Sequence, residues 1–510
     1  MKKKYVRWTL WTIASPFILF IILCILIYLP PIQNFLVDKA AVYASEATGM
    51  NISVGRISLS FPLNLVVTNV DAASPHNDTL LSVRRLQVNV QLLPLLKKQV
   101  EVDGISLQGA TVNSNDLIHG MKLNGTLGEL FISSHGVALD PETAIVNKVL
   151  LKDTDLSLCL NDTAAADTAA SDTTYWKIIL QDIDLQNVSF ALDMPLDSLS
   201  LAASLDNAIL RDGLIDLHKS AYSLQTFRIK NGRVRYDSGK PLAADSLPSG
   251  LDPSHIALTD IGVKLDSLYY GGRNMKAIIS QFVLKERSGV EIVSATGRMV
   301  SNDKVLRVPS LKLETRDSYL ELNAAMDWNA LDFKDEGLVS ARLMADIGKP
   351  DVVRFMGSMD EKFIRQYPSE PLRIRTGIDG DLNKLKLTTL TAELPGALGL
   401  FARGELTHLT DSLLRGGDIT LEAETKDLKF VSTLAEGIEI PYGTRLEGKF
   451  TMAGTKMGTD LLLMQPEAQA VVAADTIPIT VYNDSISVAD DFKMERAARL
   501  FAKYDLSRDR

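Results

Sequence analysis

The sequence predicts a mainly β protein that follows an N-terminal transmembrane helix and contains few short helices. Three observations carry that expectation. Apolar and polar residues alternate with a period of two through most of the chain. Turn dipeptides punctuate the alternation, and one uncharged apolar run stands near the start.

The uncharged run is Trp8 to Leu29, 22 residues that include Trp11, Phe17 and Phe20. As a helix it measures about 33 Å, enough to cross a hydrocarbon core of about 30 Å. Lys2, Lys3, Lys4 and Arg7 precede it, and no basic residue follows before Lys39. The positive-inside bias therefore keeps residues 1–7 in the cytoplasm and exports the rest. A cleaved signal peptide is the alternative. Against it, the run exceeds an h-region of about 7–15 residues, and Pro30-Pro31 follow it with no small-x-small site. Trp8, Trp11, Phe17, Phe20 and Leu29 thus mark an uncleaved membrane anchor over 8–29.

Residues 30–49 continue as a juxtamembrane helix, with Phe35, Leu36 and Tyr43 at helical spacing and Gly49 as its stop. The period then changes to two across a first β segment, 50–160. Ile57, Leu59, Phe61 and Leu63 alternate with Ser58, Ser60 and Pro62. Leu86, Val88 and Val90 alternate with Gln87 and Asn89, Leu107 follows Ser106, and Leu158 follows Ser157. Residues 161–175 are small, acidic and of low complexity, and read as a flexible loop.

Alternation resumes over 176–488. Phe227 and Ile229 flank Arg228, Val263 and Leu265 flank Lys264, Leu311 and Leu313 flank Lys312, and Leu385 and Leu387 flank Lys386. Such alternation gives strands one apolar and one wetted face. Asn231-Gly232, Gly271-Gly272 and Asp379-Gly380 are turn signals, so the strands are expected to pair antiparallel. A helical insertion is expected near 350–367. A last helix is expected over 489–510, where Phe492, Ala497, Leu500 and Phe501 share a helical face.

The chain beyond residue 29 exceeds the roughly 250–300 residues at which a single core stops growing. A one-faced sheet must cover its apolar side, and the expected helices are too few to do so. Two arrangements remain: sandwich or barrel domains in series, or one long curved sheet whose apolar face lines a groove. Aromatics make up only 6% of the chain, which favours a smooth aliphatic lining over stacking platforms for bases. A net charge of −9 argues against a nucleic-acid partner. Of two cysteines, Cys24 lies in the anchor, so Cys159 has no exported partner and is expected to be a buried small hydrophobe.

Chemistry-bearing patterns are scarce. The six histidines are scattered without metal-ligand spacing, and neither a G-x-S-x-G elbow nor a P-loop occurs. Asp153/Asp155, Asp182/Asp184 and Asp379/Asp381 each set two carboxylates on one strand face or turn, where a hard cation is one reading. A soluble outer face is the stronger one. Arg84-Arg85 and Lys97-Lys98 read as charges that keep strand edges from aggregating. No catalytic residue, metal or cofactor is expected, and the chain does not read as an enzyme.

The order of features resembles the AsmA-like superfamily, and in its N-terminal portion the TamB-like branch, the inner-membrane subunit of the translocation and assembly module. The carrying residues are the anchor, then Pro31–Val70, where a helix ends at Thr48-Gly49 and leads into NISVGRISLSFPLNL. Thr79–Val112 adds a leucine-rich break, and Leu224–Ser238 and Ile378–Leu409 repeat the family's style of alternation. The resemblance implies an elongated, curved, antiparallel repeating β-groove, U-shaped with an apolar interior. It implies phospholipids as cargo, the bacterial inner membrane as site and an Omp85-class outer-membrane protein as partner. The lining would include Ile57, Leu59, Phe61, Leu63, Leu86, Val88 and Val90. It would continue through Leu107, Leu158, Phe227, Ile229, Val263 and Leu265 to Leu311, Leu313, Leu385 and Leu387. The alternative function the branch implies is a scaffold that aids insertion of outer-membrane β-barrels. The characteristic C-terminal domain of TamB-like proteins is not recognisable in this sequence.

Overall fold

A computed structural model of the chain describes residues 39, 41–42, 45, 50–60, 64–74, 79–90, 102–114, 120–139, 142–161, 175–239, 250–334, 337–357, 360–433, 442–454, 456–464, 475–482, 485–488 and 497–505. The expected anchor, Trp8–Leu29, lies outside them, as do residues 162–174 of the low-complexity segment. Among the described residues no helix is long and apolar enough to cross a membrane. Lys39, Ala41, Val42 and Ser45, from the expected juxtamembrane helix, are all helical.

The protein is mainly β with few helices, and it divides after Leu242 into two units. The first holds β1 (Asn51–Ser60), β2 (Asn64–Ala73), β3 (Thr79–Val90), β4 (Val102–Asn113) and β5 (Met121–Leu139). Then come β6 (Glu142–Leu160), β7 (Lys177–Met194), β8 (Leu199–Asp216), β9 (Ala221–Leu224) and β10 (Thr226–Ser238). Each strand from β1 to β8 pairs with the next, and β9 and β10 lie end to end along β8.

One pairing in this unit departs from the expected antiparallel meander. Strands β6 and β7 run parallel, with Leu151 opposite Leu185. Residues 161–176 separate them, and a parallel neighbour needs a crossover of about a dozen residues or more, not a tight hairpin. Cys159 also differs from expectation. It is half-buried, opposite Lys122 on β5 and Asp193 on β7, and its thiol donates to Asn161 Oδ1 at 3.3 Å.

The second unit begins with β11 (His255–Gly271), β12 (Asn274–Glu286), β13 (Glu291–Ser301), β14 (Val305–Thr315), β15 (Tyr319–Asp327) and β16 (Leu338–Ile347). It continues with β17 (Leu372–Asp381), β18 (Lys384–Leu394), β19 (Leu398–Thr407), β20 (Gly416–Thr425), β21 (Arg445–Ala453) and β22 (Lys456–Met464). These twelve form an antiparallel meander. Strand β25 (Ala497–Asp505) then pairs antiparallel with β22 and parallel with β23 (Asp475–Tyr482), which forms a hairpin with β24 (Ser485–Val488).

Strand β25 corrects the expected C-terminal helix over its residues. Ala498, Leu500 and Ala502 fall at a period of two and sit opposite Leu463, Leu461 and Thr459. Pairing with β22 satisfies the backbone along the whole segment, and that tertiary opportunity overrides the helical spacing. Residues 489–496 and 506–510 of the expected helix lie outside the described residues.

Three short helices sit at strand ends: α1 (Trp328–Leu331), α2 (Lys349–Met356) and α3 (Glu361–Gln366). The last two are the expected insertion near 350–367. Pro350 stands in the first turn of α2, and Asp360 caps α3 by accepting from the Lys362 N–H at 2.9 Å. Asp351, only 1% exposed, fixes α2 to the β14–β15 turn. It accepts from Ser318 Oγ at 2.6 Å, from Thr315 Oγ1 and from Arg354 Nη1 at 3.0 Å, while Arg354 also reaches Asp317 at 2.8 Å. Burial alone would lower the Arg354 pKa, but its hydrogen bonds to Asp317 and Asp351 outweigh that and hold it above the ordinary value.

Candidate functional site

The strand registers align the apolar side chains into rows that run across the strands. In the first unit one row reads Ile57, Val67, Leu86, Leu107 and Leu130 on β1–β5, then Leu151, Leu185, Ala208 and Ile229 on β6, β7, β8 and β10. The next reads Leu59, Leu65, Val88, Ile105 and Ile132, then Val149, Ile183, Leu210 and Phe227. Neither contains a polar residue. Eight strand spacings of about 4.8 Å make each row about 38 Å long.

The second unit repeats the arrangement on its own strands. Val263, Phe282, Ala295, Leu313, Leu320 and Ala345 lie opposite one another on β11–β16. Ile374, Ala392, Leu400, Ala423, Leu446 and Leu463 extend the row over β17–β22, and Ala498 ends it on β25. A neighbouring row starts at Leu265, Ile279, Gly297, Leu311, Leu322 and Leu343. Thr376 is its one polar member before Leu390, Ala402 and Leu421.

Exposure separates this surface from an ordinary core. Ile57, Leu86, Val88, Leu107, Leu158, Phe227 and Ile229 are all half-buried, and so are Val263, Leu265, Leu311, Leu313, Leu385 and Leu387. None of these large side chains reaches the burial expected between two packed sheets. Among the described side chains in the first row of the second unit, only Ala295 and Ala345 are buried, both small enough to be shaded by their neighbours. Leu387 and Leu385 belong to two further rows, opposite Ile378 and Gly380 of β17, and Leu158 lies opposite Leu123 and Leu192. Phe61 and Leu63 lie outside the described residues, as do the side chains of Leu59 and Val90.

Two clusters of buried side chains lie at strand ends. Phe363 of α3 and Tyr367 just after it meet Leu394, Ala397, Leu428 and Phe430 where β18 and β20 end. Ring centroids there are 5.1–5.7 Å apart, the spacing of attractive edge-to-face pairs. Ala330, Val339 and Leu382 form a smaller cluster at the opposite strand ends, beside α1. Each cluster therefore covers a few strand ends, while the large mid-strand side chains of the rows are only half-buried.

The other face is ionic. Arg375 reaches Asp346 at 2.7 Å, Lys449 reaches Asp418 at 3.0 Å and Lys384 reaches Glu405 at 3.1 Å, each across neighbouring strands. Exposed pairs of this kind contribute about 0–1 kcal/mol each, so they keep the surface wetted more than they hold the sheet together. The paired aspartates join this face. Asp153 accepts from Asn187 at 2.9 Å, Asp155 from Ser189 at 2.8 Å, and Asp184 from Asn207 at 3.1 Å. Asp182 pairs with Arg211, Asp379 accepts from Ser340 at 2.6 Å, and Asp381 accepts the Asn383 and Lys384 N–H groups at 2.8 Å. Each carboxylate is engaged by protein donors, as an outer face requires. Among the described residues no three acidic, histidine or cysteine side chains converge as a metal site.

One feature of the first unit was missed by the reading of strict alternation. Apart from further irregularities, such as the one at Asn147, Gln181 and Asp212 on β6–β8, a pairing is dropped in register at Gly55, Asn69 and Arg84 on β1–β3, Gly109, Gly128 and Asp153 on β4–β6, and Asn187, Asp206 and Asn231 on β7, β8 and β10. These nine residues lie on one line. Apolar rows stand on both sides of it, because Leu81 and Val83 are apolar as well as Leu86 and Val88. The signal was present in the sequence as apolar residues at i, i+2, i+5 and i+7.

No protein-family model, curated protein or solved structure matches the chain.

Proposed function

We propose that this chain is an inner-membrane-anchored, bridge-like protein of a two-membrane bacterial envelope. On this reading it shields phospholipid acyl chains on its apolar face while they move between the inner and outer membranes. The sheet would curl into an elongated groove with that face inside. One observation carries the proposal: at least one unbroken apolar row crosses the strands of each unit, yet its large described side chains are only half-buried.

The energetics favour such a surface. Each CH₂ brought into water costs about 0.8 kcal/mol, so two long acyl chains face a barrier on the order of 20 kcal/mol. Rows made almost wholly of Leu, Ile, Val and Ala would lower that barrier at every strand, with no charged group to hold cargo at one position. The test is lipid analysis of the full-length chain purified from membranes in mild detergent. Phospholipid in stoichiometric amounts supports the proposal, and a chain that carries no more lipid than an unrelated single-pass protein overturns it.

A second reading, a scaffold for outer-membrane β-barrel insertion, draws on β1. Among the described residues β1 pairs on one side only, with β2, and such an edge suits strand addition. Co-purification with an Omp85-class protein, lost when the β1 edge is blocked by proline, would favour this reading.

A further inference from the structure

Strict alternation would divide the first unit's apolar surface in two. Side chains an odd number of residues apart on a strand point to opposite faces. On β7, Leu185 and Val188 are three apart, with the unpaired Asn187 between them. On β3, Val83 and Leu86 are likewise three apart. A flat sheet would turn the rows before the break line to one side and the rows after it to the other.

The local geometry at the line prevents that. Of the nine residues on the line, Asn69, Asp153, Asn187 and Asn231 have φ of 50–52° and Gly109 has φ 61°, whereas Gly55, Arg84, Gly128 and Asp206 have no positive φ. That left-handed conformation is costly for most residues, and Asn, Asp and Gly adopt it most readily. One such residue in a strand sets two successive side chains on the same face, as in a bulge. Exposure agrees: Arg84 and Arg85 are both exposed while Val83 is 5% exposed. Lys152 and Asp153 are both exposed while Thr154 is 2% exposed. The line also stacks across strands. Asn187 Nδ2 donates to Asp153 at 2.9 Å, Asn231 Nδ2 to Asp206 at 2.5 Å, and a Cβ on Gly128 would come within 2.8 Å of the Asp153 Cβ.

We infer that this line is a crease that turns both halves of every strand toward one face, so that the apolar rows on its two sides form a single cargo-binding surface. Asn69, Asp153, Asn187 and Asn231 are its positioning residues. They touch no cargo and act by setting where the rows point. The inference rests on the lipid reading for the identity of the cargo, but the crease itself does not depend on it.

The experiment uses the full-length chain with a photo-reactive amino acid at Leu185 or at Val188, one on each side of the crease. Three backgrounds are compared: unchanged, Asn187→Gly with Asn231→Gly, and Asn187→Val with Asn231→Val. Glycine keeps the left-handed conformation, whereas β-branched valine resists it. Cells are irradiated, and cross-linked phospholipid is counted by mass spectrometry. Both positions should capture lipid in the unchanged chain and in the glycine pair. The valine pair should lose capture at one of the two while β content by circular dichroism is retained. Capture at only one position in the unchanged chain overturns the crease, as does equal capture at both in the valine pair. If neither position captures lipid in any background, the lipid reading fails, and hydrogen exchange decides the crease. Exchange over β7–β10 that is faster in the valine pair than in the glycine pair upholds it, and equal exchange overturns it.

Discussion

The Ser45 hydroxyl accepts a hydrogen bond from the Ile52 N–H at 3.0 Å and lies 3.5 Å from the Ile52 carbonyl, to which it donates. One side chain thus engages both backbone groups of a residue near the start of β1, on the side away from β2. An unpaired strand edge is a template for unwanted pairing, and here a helical residue engages one residue near its start, Ile52. Ser45→Ala should remove about 1 kcal/mol of local stability. The check is amide exchange at Ile52, which should speed up while exchange in β5 and β6 stays unchanged. An unaltered Ile52 rate would mean that the contact does not protect the edge.

Charge placed on the open rows should be tolerated by the fold and not by the function. Val88 and Leu265 are half-buried, so Val88→Asp or Leu265→Asp should cost about 1–2 kcal/mol. Lipid flux between membranes should stop because a carboxylate now interrupts the row. Phe363→Asp, in the packed cluster at 2% exposure, should instead cost at least about 4 kcal/mol and release α3. Thermal unfolding and a lipid-transfer assay separate the two classes. Folded Val88→Asp or Leu265→Asp protein with normal transfer would refute the assignment of the rows.

The attachment of α2 depends on a buried charge. Arg354→Ala leaves Asp351, 1% exposed, with only the Thr315 and Ser318 hydroxyls. Removing one partner of a buried ion pair costs about 3–5 kcal/mol, and we expect about 3 kcal/mol because those two hydrogen bonds persist. Arg365→Ala is the control. Its partner Glu361 is exposed one helical turn away, a pair of about 0.3–0.5 kcal/mol. Denaturant midpoints of the two variants should differ clearly in that order.

Acid should loosen the turn that opens β11 before neutral conditions disturb it. Asp252 accepts from His255 Nδ1 at 2.8 Å and from the Ser254 N–H at 2.9 Å, and these bonds hold its carboxyl below the ordinary value of 3.8. A depressed folded-state pKa contributes stability above the unfolded value, and that stability is lost as pH falls through the folded value. The carboxyl's contribution should therefore be lost as pH falls below the ordinary value of about 3.8 toward the lowered folded-state value. Asp252→Asn should flatten this dependence. Carboxyl titration by NMR, with Asp252 ionising below an exposed aspartate, is the measurement.

The sequence disclosed the strands because their alternation is local: Leu311, Leu313, Leu385 and Leu387 lie in the expected strands and in apolar rows. It did not disclose how strands line up, since register depends on pairings tens of residues apart. The parallel β6–β7 pair escaped for that reason. The break line escaped because a period of two contains no three-residue step such as the one from Val83 to Leu86. Residues 497–505 were misread because Leu500 and Phe501 fit a helical face as well as a strand, and only the presence of β22 decides between them.

Rows built by register make the second unit extensible by whole hairpins. Excision of β20 and β21 would bring Leu400 of β19 into the place now held by Leu446, opposite Leu463, and Ala402 into that of Gly448, opposite Leu461. Strand direction is preserved, no polar residue enters either row, and the sheet shortens by two spacings, about 10 Å. The length of the sheet is thereby set by a count of hairpins; under the proposed bridging function, duplication or loss of hairpins would fit such a chain to envelopes of different width without redesigning any residue.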